Sequence, residues 1–559
     1  MRRVLKIALW SVALLLGLAI LLPIGVGAYL YHTVELCEPQ IAVDTAAYRP
    51  LCVGDSLRIV GRNTLLRNRY GLWEGRISGS AAERGAVLGR LAEPEIAYQE
   101  QVFVDQIRRI IPSDRYLWLL HKLTFIFNRR MAQHIPEEYR EEIYALSASC
   151  SHKFDVLGSP YARQLNYHAA HDIGHAMQEY MLVGCSSFAV WGAESADGEL
   201  LVGRNFDFWV GDDFARHKIL LLVEPETGYR YASVTWPGMV GVLSGMNERG
   251  LTVTINASKG AIPTASATPI SILTREMLQY AATIEEAYAI AQKRQTFVSE
   301  SILVASAEDG CAAIIEKSPD AIALYRPDGE RVISTNHYQS EHFASDPANR
   351  ENIATSDSPY RWARLKELLD EKSPMTPEKA ASVLRNTKGV GEREIGLTNE
   401  KAINQCIAHH GVIFQPAQRR LWLSTEPWQA GRMLCYELDE LFAHEEAFDR
   451  SMASEHLSIE RDTAFLHTKY PRVRAHRALS KEIRQLLDAG QSVDPALVDS
   501  LCRNNPDYYG VYLLAGDVAA ASGEYQRACE AWQRALACEI PRLAEKEAIE
   551  QKLSEYGTR

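Results

Sequence analysis

The residue best placed for chemistry is Cys185, in Leu182-Val183-Gly184-Cys185-Ser186-Ser187-Phe188, where the chain changes from helical to strand-like character. After it, Phe188–Trp191 and Leu200–Arg204 flank the turn signal Asp197-Gly198 and read as a hairpin. The hairpin ends in Gly203-Arg204-Asn205-Phe206-Asp207-Phe208, which places Arg204 and Asp207 19 and 22 residues after the cysteine. A guanidinium beside a thiol favours the thiolate, the form that attacks carbonyls. Arg and Asp three residues apart also form ordinary surface salt bridges, and free cysteine is among the most buried residue types. Cys150, Cys311, Cys435, Cys502, Cys529 and Cys538 sit in apolar stretches and read as core.

A second chemistry is available at His171-Asp172-Ile173-Gly174-His175, with His168 one turn earlier. Imidazoles at i and i+4 on a helix can share a zinc ion. Here Asp replaces the usual Glu base, and Gly174 weakens the helix, so a zinc hydrolase using His171 and His175 is a distant alternative. Neighbours on a strand point to opposite faces, so the pair His409-His410 reads as structural. The chain has neither a G-x-S-x-G elbow nor a phosphate-binding loop. No metal or cofactor is expected.

Gly184-Cys185-Ser186-Ser187-Phe188, followed by Leu201-Val202-Gly203-Arg204-Asn205-Phe206-Asp207, resembles the self-cleaving N-terminal-nucleophile (Ntn) cysteine acyltransferases of the penicillin-acylating type. It is similar also to choloylglycine (bile salt) hydrolases and acid ceramidase-like amidases. The resemblance continues through Met246–Leu251 to Asn256, then Ser334-Thr335-Asn336-His337 and Ser358-Pro359-Tyr360-Arg361. Upstream it takes in Glu83-Arg84-Gly85 and Pro136–Tyr139, so that it spans roughly residues 70–440. It implies an α+β, four-layer αββα fold in which self-cleavage after Gly184 exposes Cys185 as a new N-terminus. It also implies that the freed α-amine is the general base and that Asn256 and Asn336 supply oxyanion or amine contacts. Asp207 would then orient the amine, Arg204 would hold the thiol, and Arg361 matches a further family arginine. The Cys185–Arg204 spacing is a few residues longer than in choloylglycine hydrolases, which leans towards the acyltransferase branch. The expected substrate is a small-molecule N-acyl compound with a non-peptide linear amide.

The elements around these residues divide the chain into four. Residues 1–32 carry Arg2, Arg3 and Lys6, then 25 residues without a charge, the pattern of a membrane anchor with its N-terminus in the cytoplasm. A cleaved signal peptide is the rival reading. Either one places the body outside the cytoplasm, on the periplasmic face of the inner membrane if the source is bacterial. Cys37 and Cys52 could then form a bridge or stay unpaired. Residues 55–184 read mostly as helix, a propeptide-like segment that includes Ser78–Tyr98 and Pro136–Ser147. Residues 185–445 read as strands, interrupted by helices at Ser271–Lys293 and Ser358–Leu369, and form the catalytic core. Residues 455–559 read as a helical tail. Within it, Tyr512, Gly516, Ala528, Trp532 and Ala535 fall on the small and aromatic positions of one tetratricopeptide unit, or else of an ordinary helical hairpin. A single such unit must pack on the body or on a protein partner.

Composition narrows the function. Of the 559 residues, 47% are hydrophobic and 23% charged, as in an ordinary folded protein. Lys+Arg number 60 against 71 Asp+Glu, a net charge of −11, which disfavours nucleic acid as a partner. Ten cysteines are too sparse for a disulfide scaffold. The expectation is an exported, membrane-tethered cysteine amidohydrolase or acyltransferase. The alternative from another class is an inactive membrane-anchored scaffold that recruits partners through its tail.

Overall fold

The computed structural model describes residues 25–27, 29–111, 113–169, 172, 184–260, 263 and 265–557. In chain order the first strands are β1 (Leu51–Val53), β2 (Leu57–Val60), β3 (Asn63–Arg67) and β4 (Trp73–Gly79). A hairpin, β5 (Ser186–Val190) and β6 (Leu201–Asp207), begins one residue after Cys185. Then come β7 (Ile219–Pro225), β8 (Tyr231–Thr235), β9 (Ser244–Asn247), β10 (Leu251–Ala257), β11 (Glu300–Ser306), β12 (Cys311–Lys317) and β13 (Ile322–Tyr325). The last five are β14 (Arg331–Ser334), β15 (Ala408–Gln415), β16 (Arg420–Ser424), β17 (Met433–Glu437) and β18 (Ser454–Ile459).

These strands make two sheets packed face to face. An 11-stranded sheet runs β1-β2-β3-β4-β7-β8-β9-β10-β11-β12-β13, and a 7-stranded sheet runs β14-β5-β6-β15-β16-β17-β18. Between them lies an apolar layer in which Leu220, Leu222 and Val234 of the larger sheet meet Val202, Val412 and Phe414 of the smaller. The outer face of the larger sheet is covered by Ala81–Leu91, Glu137–Ser147, Ile270–Tyr280 and their neighbours, and that of the smaller by Ser358–Lys372 and Pro377–Leu384. Helix, sheet, sheet and helix thus form four layers, each element burying one face.

The region upstream of Gly184 is mostly helical, as expected, but only from Ala81 onward. Its first part forms β1 to β4, and β4 pairs in parallel with β7 from Trp73↔Ile219 to Gly79↔Pro225. The strands are hard to see in the sequence because charges occupy their buried inner face. Arg76 is fully buried against Glu224 at 2.6 Å, and Glu74 accepts from Asn68, Tyr436, Ser451 and the Met452 N–H. The helix expected over Ser271–Lys293 is two helices, Ile270–Tyr280 and Ile284–Lys293, the second opened by a capping box between Thr283 and Glu286. The smaller sheet extends beyond residue 445, because β18 pairs with β17. Cys37 and Cys52 are both free thiols.

Two of the helices expected from the resemblance meet closely. A Cβ at Gly85 would collide with the Glu142 carbonyl, so Ala81–Leu91 and Glu137–Ser147 can touch only through a glycine. The side chain of Glu142, fully buried, bridges Arg84 at 2.8 Å and Arg275 at 2.6 Å. Burial alone would raise its pKa, but the two guanidiniums, Arg275 first, hold the carboxyl below its ordinary value.

The tail is helical, with its own core of Tyr512, Val518, Ala528, Trp532 and Ala535. It docks on the body. Asn505 exchanges two hydrogen bonds of 2.8 Å with the Leu397 backbone, Lys401 pairs with Glu539 at 2.8 Å, and Arg477 donates to the Cys406 carbonyl at 2.5 Å. Among the described residues no helix is long and apolar enough to cross a membrane. The expected anchor falls largely on residues 1–24, outside the described residues, as do His171 and His175.

Because Glu142 ties residues upstream of Gly184 to residues downstream, Glu142→Gln should lower stability by about 3–5 kcal/mol, the usual effect of breaking a buried ion pair. Thermal melting of the variant checks this, and an unchanged midpoint would show that the triad carries no stability.

Candidate active site

Cys185 is fully buried at the mouth of the β5–β6 hairpin, its side chain on the face that looks across to the larger sheet. Arg204, on the same face of β6, places Nη2 3.7 Å from the Cys185 Sγ. Nη1 of this guanidinium donates to the Leu243 carbonyl at 3.0 Å and to the Ser244 hydroxyl, and Nη2 also donates to the Ile255 carbonyl. Its Cζ lies 4.5 Å from the centre of the Phe206 ring. Burial nonetheless outweighs the cation and pushes the Cys185 thiol up to about 11. In the intact chain the thiol is therefore neutral near pH 7, contrary to the thiolate expected from an adjacent arginine.

Gly184, the residue before Cys185, is held through both its N–H and its carbonyl. Gly184 N–H donates to the Asp207 carbonyl at 3.1 Å, and the Gly184 carbonyl accepts from Gln405 Nε2 at 3.1 Å. The next carbonyl, of Cys185 itself, accepts from Arg361 Nη1 at 2.5 Å. Arg361 is also fixed by Asp357 at 2.8 Å and by Asn336 Oδ1 at 2.6 Å. Asn336 Nδ2 donates to the Ala257 carbonyl at 2.7 Å. Asn256, at the end of β10, accepts from Ser187 at 3.1 Å and donates to the Ser334 carbonyl at 2.9 Å. The structure thus gathers Cys185, Arg204, Asp207, Asn256, Asn336 and Arg361 around one peptide bond.

Asp207 is the anomaly of the group. Its carboxyl is fully buried, and neither oxygen has a hydrogen-bond partner among the described residues. Burial raises it to about 8, despite the attraction of Arg361 and Arg204. The carboxyl is close enough to Cys185 to act on its thiol electrostatically, and a buried acid without a hydrogen-bond partner among the described residues suits a positive charge arriving there.

Three nearby groups were not visible as site residues in the sequence. Gln405 arrives from a loop more than 200 residues away, and nothing local marks it. Glu300, paired with Ala257 across β10 and β11, is buried, and burial with the Asp172 charge raises its carboxyl well above the ordinary range while Arg204 opposes the shift. The third is the histidine pair. A bulge between Ala408 and His410 breaks the alternation, so His409 and His410 do not diverge to opposite faces. Their Nδ1 atoms are 2.9 Å apart, and His410 Nε2 lies 2.8 Å from the Ser244 hydroxyl that Arg204 contacts. Burial first, and then neighbouring cations, keep both rings neutral. The pair carries a charge-free hydrogen-bond chain behind Arg204. Among the described residues no cluster of three or more potential ligands could hold a metal ion.

On the thiol's face of β6, beyond Phe206, Phe208 borders a small, mostly apolar cleft with Ile96, Phe103, Phe214, Trp236 and Met239.

Residues 193–427 match the family model of acyl-coenzyme A:6-aminopenicillanic acid acyl-transferase. An uncharacterized protein of Archaeoglobus fulgidus is 24% identical over 399 residues, covering 63% of this chain and 64% of that one. Protein dcd1B of Dictyostelium discoideum is 24% identical over 196 residues, 34% of this chain and 36% of that one. The chain therefore spans less than two thirds of either relative. Among solved structures, a Caenorhabditis elegans N-acylethanolamine-hydrolyzing acid amidase ortholog is 17% identical and covers 42% of this chain and 93% of its own, with a TM-score of 0.31. A mutant conjugated bile acid hydrolase from Clostridium perfringens is 12% identical and covers 48% and 97%, with a TM-score of 0.30.

The state of Asp207 is open to measurement. The folded chain keeps a proton on this carboxyl up to about pH 8, whereas the unfolded chain, with a carboxyl near 3.8, has lost it. The folded state binds more protons between these values, so the contribution of Asp207 to stability falls as pH rises through that window. In an uncleaved Cys185→Ala background, Asp207→Asn should leave the melting temperature unchanged near pH 4 and raise it at about pH 8 and above. An equal shift at both pH values would show that the carboxyl is not held neutral.

Proposed function

We propose, from the premise that residues 193–427 belong to the acyl-coenzyme A:6-aminopenicillanic acid acyl-transferase family, that this chain cleaves itself at Gly184-Cys185 and then hydrolyses or transfers the acyl group of a linear N-acyl amide. The observation that carries the proposal is the combination at one peptide bond. The Cys185 thiol lies against Arg204 and within electrostatic reach of the Asp207 carboxyl, which has no hydrogen-bond partner among the described residues. While that nitrogen is an amide it cannot act as a base. Once freed, an α-amine titrates near pH 8, as a reference value, and can take the thiol proton near neutrality.

The roles then follow from position. Cys185 attacks the substrate carbonyl and carries the acyl group as a thioester. Asp207 pairs with the α-ammonium. Asn256 and Asn336 offer side-chain N–H groups to the developing oxyanion, as preorganised donors do in acyl transfer. Arg361 holds Asn336 and the Cys185 backbone in register, and Arg204 fixes the thiol. The apolar cleft beside Phe208 and Trp236 suits an acyl chain or another apolar substituent. The uncharged run behind Arg2, Arg3 and Lys6 supports tethering to a membrane with the catalytic body on the non-cytoplasmic side.

N-terminal sequencing of the purified protein tests the central claim, with Cys185 expected as the first residue of a 375-residue fragment. Cys185→Ala should stay full length and inactive, and a Cys185→Ala protein that still turned over an N-acyl amide would end the assignment. In cleaved protein, Asn256→Ala and Asn336→Ala should each lower kcat by about 10²–10³, the usual loss of one oxyanion donor. A change in KM alone would reduce them to binding contacts.

A further inference from the structure

We propose that Gln405 is a catalytic residue of the self-cleavage step, its side-chain amide donating to the oxygen that becomes negative when the Cys185 thiol attacks the Gly184 carbonyl. This rests on the self-cleavage proposed above and adds a second oxyanion site, separate from the one used in turnover.

The argument begins with the donors. Asn256 Nδ2 donates to Ser334, and Asn336 Nδ2 donates to the Ala257 carbonyl, so neither amide is directed to Gly184. Among the described residues, the side chain that reaches the Gly184 carbonyl is that of Gln405, whose Nε2 is 3.1 Å from the oxygen. Gln405 is only 2% exposed, so water competes little for that bond. The fit also depends on position 184 having no side chain. A Cβ there would stand 2.5 Å from Gln405 Nε2 and 2.9 Å from its Oε1, inside contact distance. Gly184 thus lets the amide lie against the peptide group that is to be broken.

Gln405 is itself held in place. Asn404 Oδ1 accepts from the Cys406 N–H at 2.9 Å, and the Asn404 N–H donates to the Asn386 carbonyl at 2.8 Å. Cys406 adopts a positive φ of 58°, and its carbonyl is tied to Arg477 of the tail. A donor fixed before reaction needs no reorganisation as charge develops, which is the condition for effective oxyanion stabilisation.

The step balances as follows. The Cys185 Sγ bonds to the Gly184 carbonyl carbon, and the electron pair of the C=O bond moves to the oxygen held by Gln405. Collapse of this adduct breaks the C–N bond, and the departing nitrogen takes up one proton, in balance with the proton lost by the thiol. Water then hydrolyses the thioester, leaving a carboxylic acid at Gly184 and a free thiol and α-amine at Cys185. No oxidant, reductant or cofactor is needed.

The test follows appearance of the 375-residue fragment over time in the full-length chain, and measures N-acyl amide turnover per cleaved molecule in the same samples. Gln405→Leu should slow cleavage by about 10²–10³ while turnover per cleaved molecule falls far less. Gln405→Glu keeps the shape but offers an acceptor in place of the donor, and should cleave no faster than Gln405→Leu. Gly184→Ala, whose Cβ displaces the amide, should slow cleavage too, and the double variant with Gln405→Leu should be no slower than the slower single. Cleavage of Gln405→Leu or Gln405→Glu at the parent rate would overturn the role of Gln405 and leave self-cleavage standing. So would an equal loss of cleavage and turnover, or rate losses that multiply in the double variant. A parent chain that stays full length would overturn self-cleavage itself, and with it this proposal.

Discussion

A guanidinium buried between two sheets is the constraint around which this site is arranged. A cation taken out of water is tolerated only where acceptors replace the lost hydration. For Arg204 these are the carbonyls of Leu243 and Ile255, the hydroxyl of Ser244 and the face of Phe206, and among the described residues no carboxylate is hydrogen-bonded to it. The carbonyls belong to the larger sheet and the arginine to the smaller, so the cation fixes the sheets against each other at this point. Ser244 accepts from Arg204 and is also hydrogen-bonded to His410, whose ring is kept uncharged by burial and the cations near it. Once Arg204 is seated, the strand register brings Cys185 to its side.

The same construction would hold the chain together if it were cut at Gly184. Residues upstream of the bond supply β1 to β4 of the larger sheet, and the β4–β7 ladder spans seven residue pairs. The Arg84–Glu142–Arg275 triad and the cage around Glu74 join the same two portions through buried charges. One broken peptide bond removes none of these contacts. The propeptide-like portion is part of the fold, and the tail reaches the site as well, through Arg477 on the Cys406 carbonyl.

What the sequence disclosed follows from how local each signal was. The β5–β6 hairpin was legible because Asp197-Gly198 sits between two apolar runs, and Gly198 does take a positive φ of 77°. The strands after residue 185 and the helical tail were legible from their residue patterns, whereas their stacking in two layers came from the motif resemblance. The strands before residue 80 were not, since Glu74 and Arg76 occupy buried positions that periodicity assigns to solvent, and their partners Glu224 and Tyr436 lie 148 and 362 residues away. The grouping of Asn256, Asn336 and Arg361 about Cys185 came from motif resemblance, because no local rule brings four distant segments together. Gln405 had no motif at all. The thiolate expected at Cys185 failed for an electrostatic reason, since a neighbouring cation lowers a thiol pKa but full burial raises it further.

That last balance bears on why cleavage would change the chemistry of the site. Before it, the thiol and Asp207 are both protonated near neutral pH, and the buried pocket carries little charge beyond its arginines. Freeing the Cys185 nitrogen would place an amine, with a reference pKa near 8, beside a carboxyl held at about 8. The site would gain a general base without gaining net charge, since an ammonium formed on one is matched by a carboxylate on the other. An exposed aspartate, already ionised, could not offer that exchange. Burial of Asp207, which has no hydrogen-bond partner among the described residues, keeps a proton on the carboxyl in the intact chain, and an ammonium arriving there would draw that proton off.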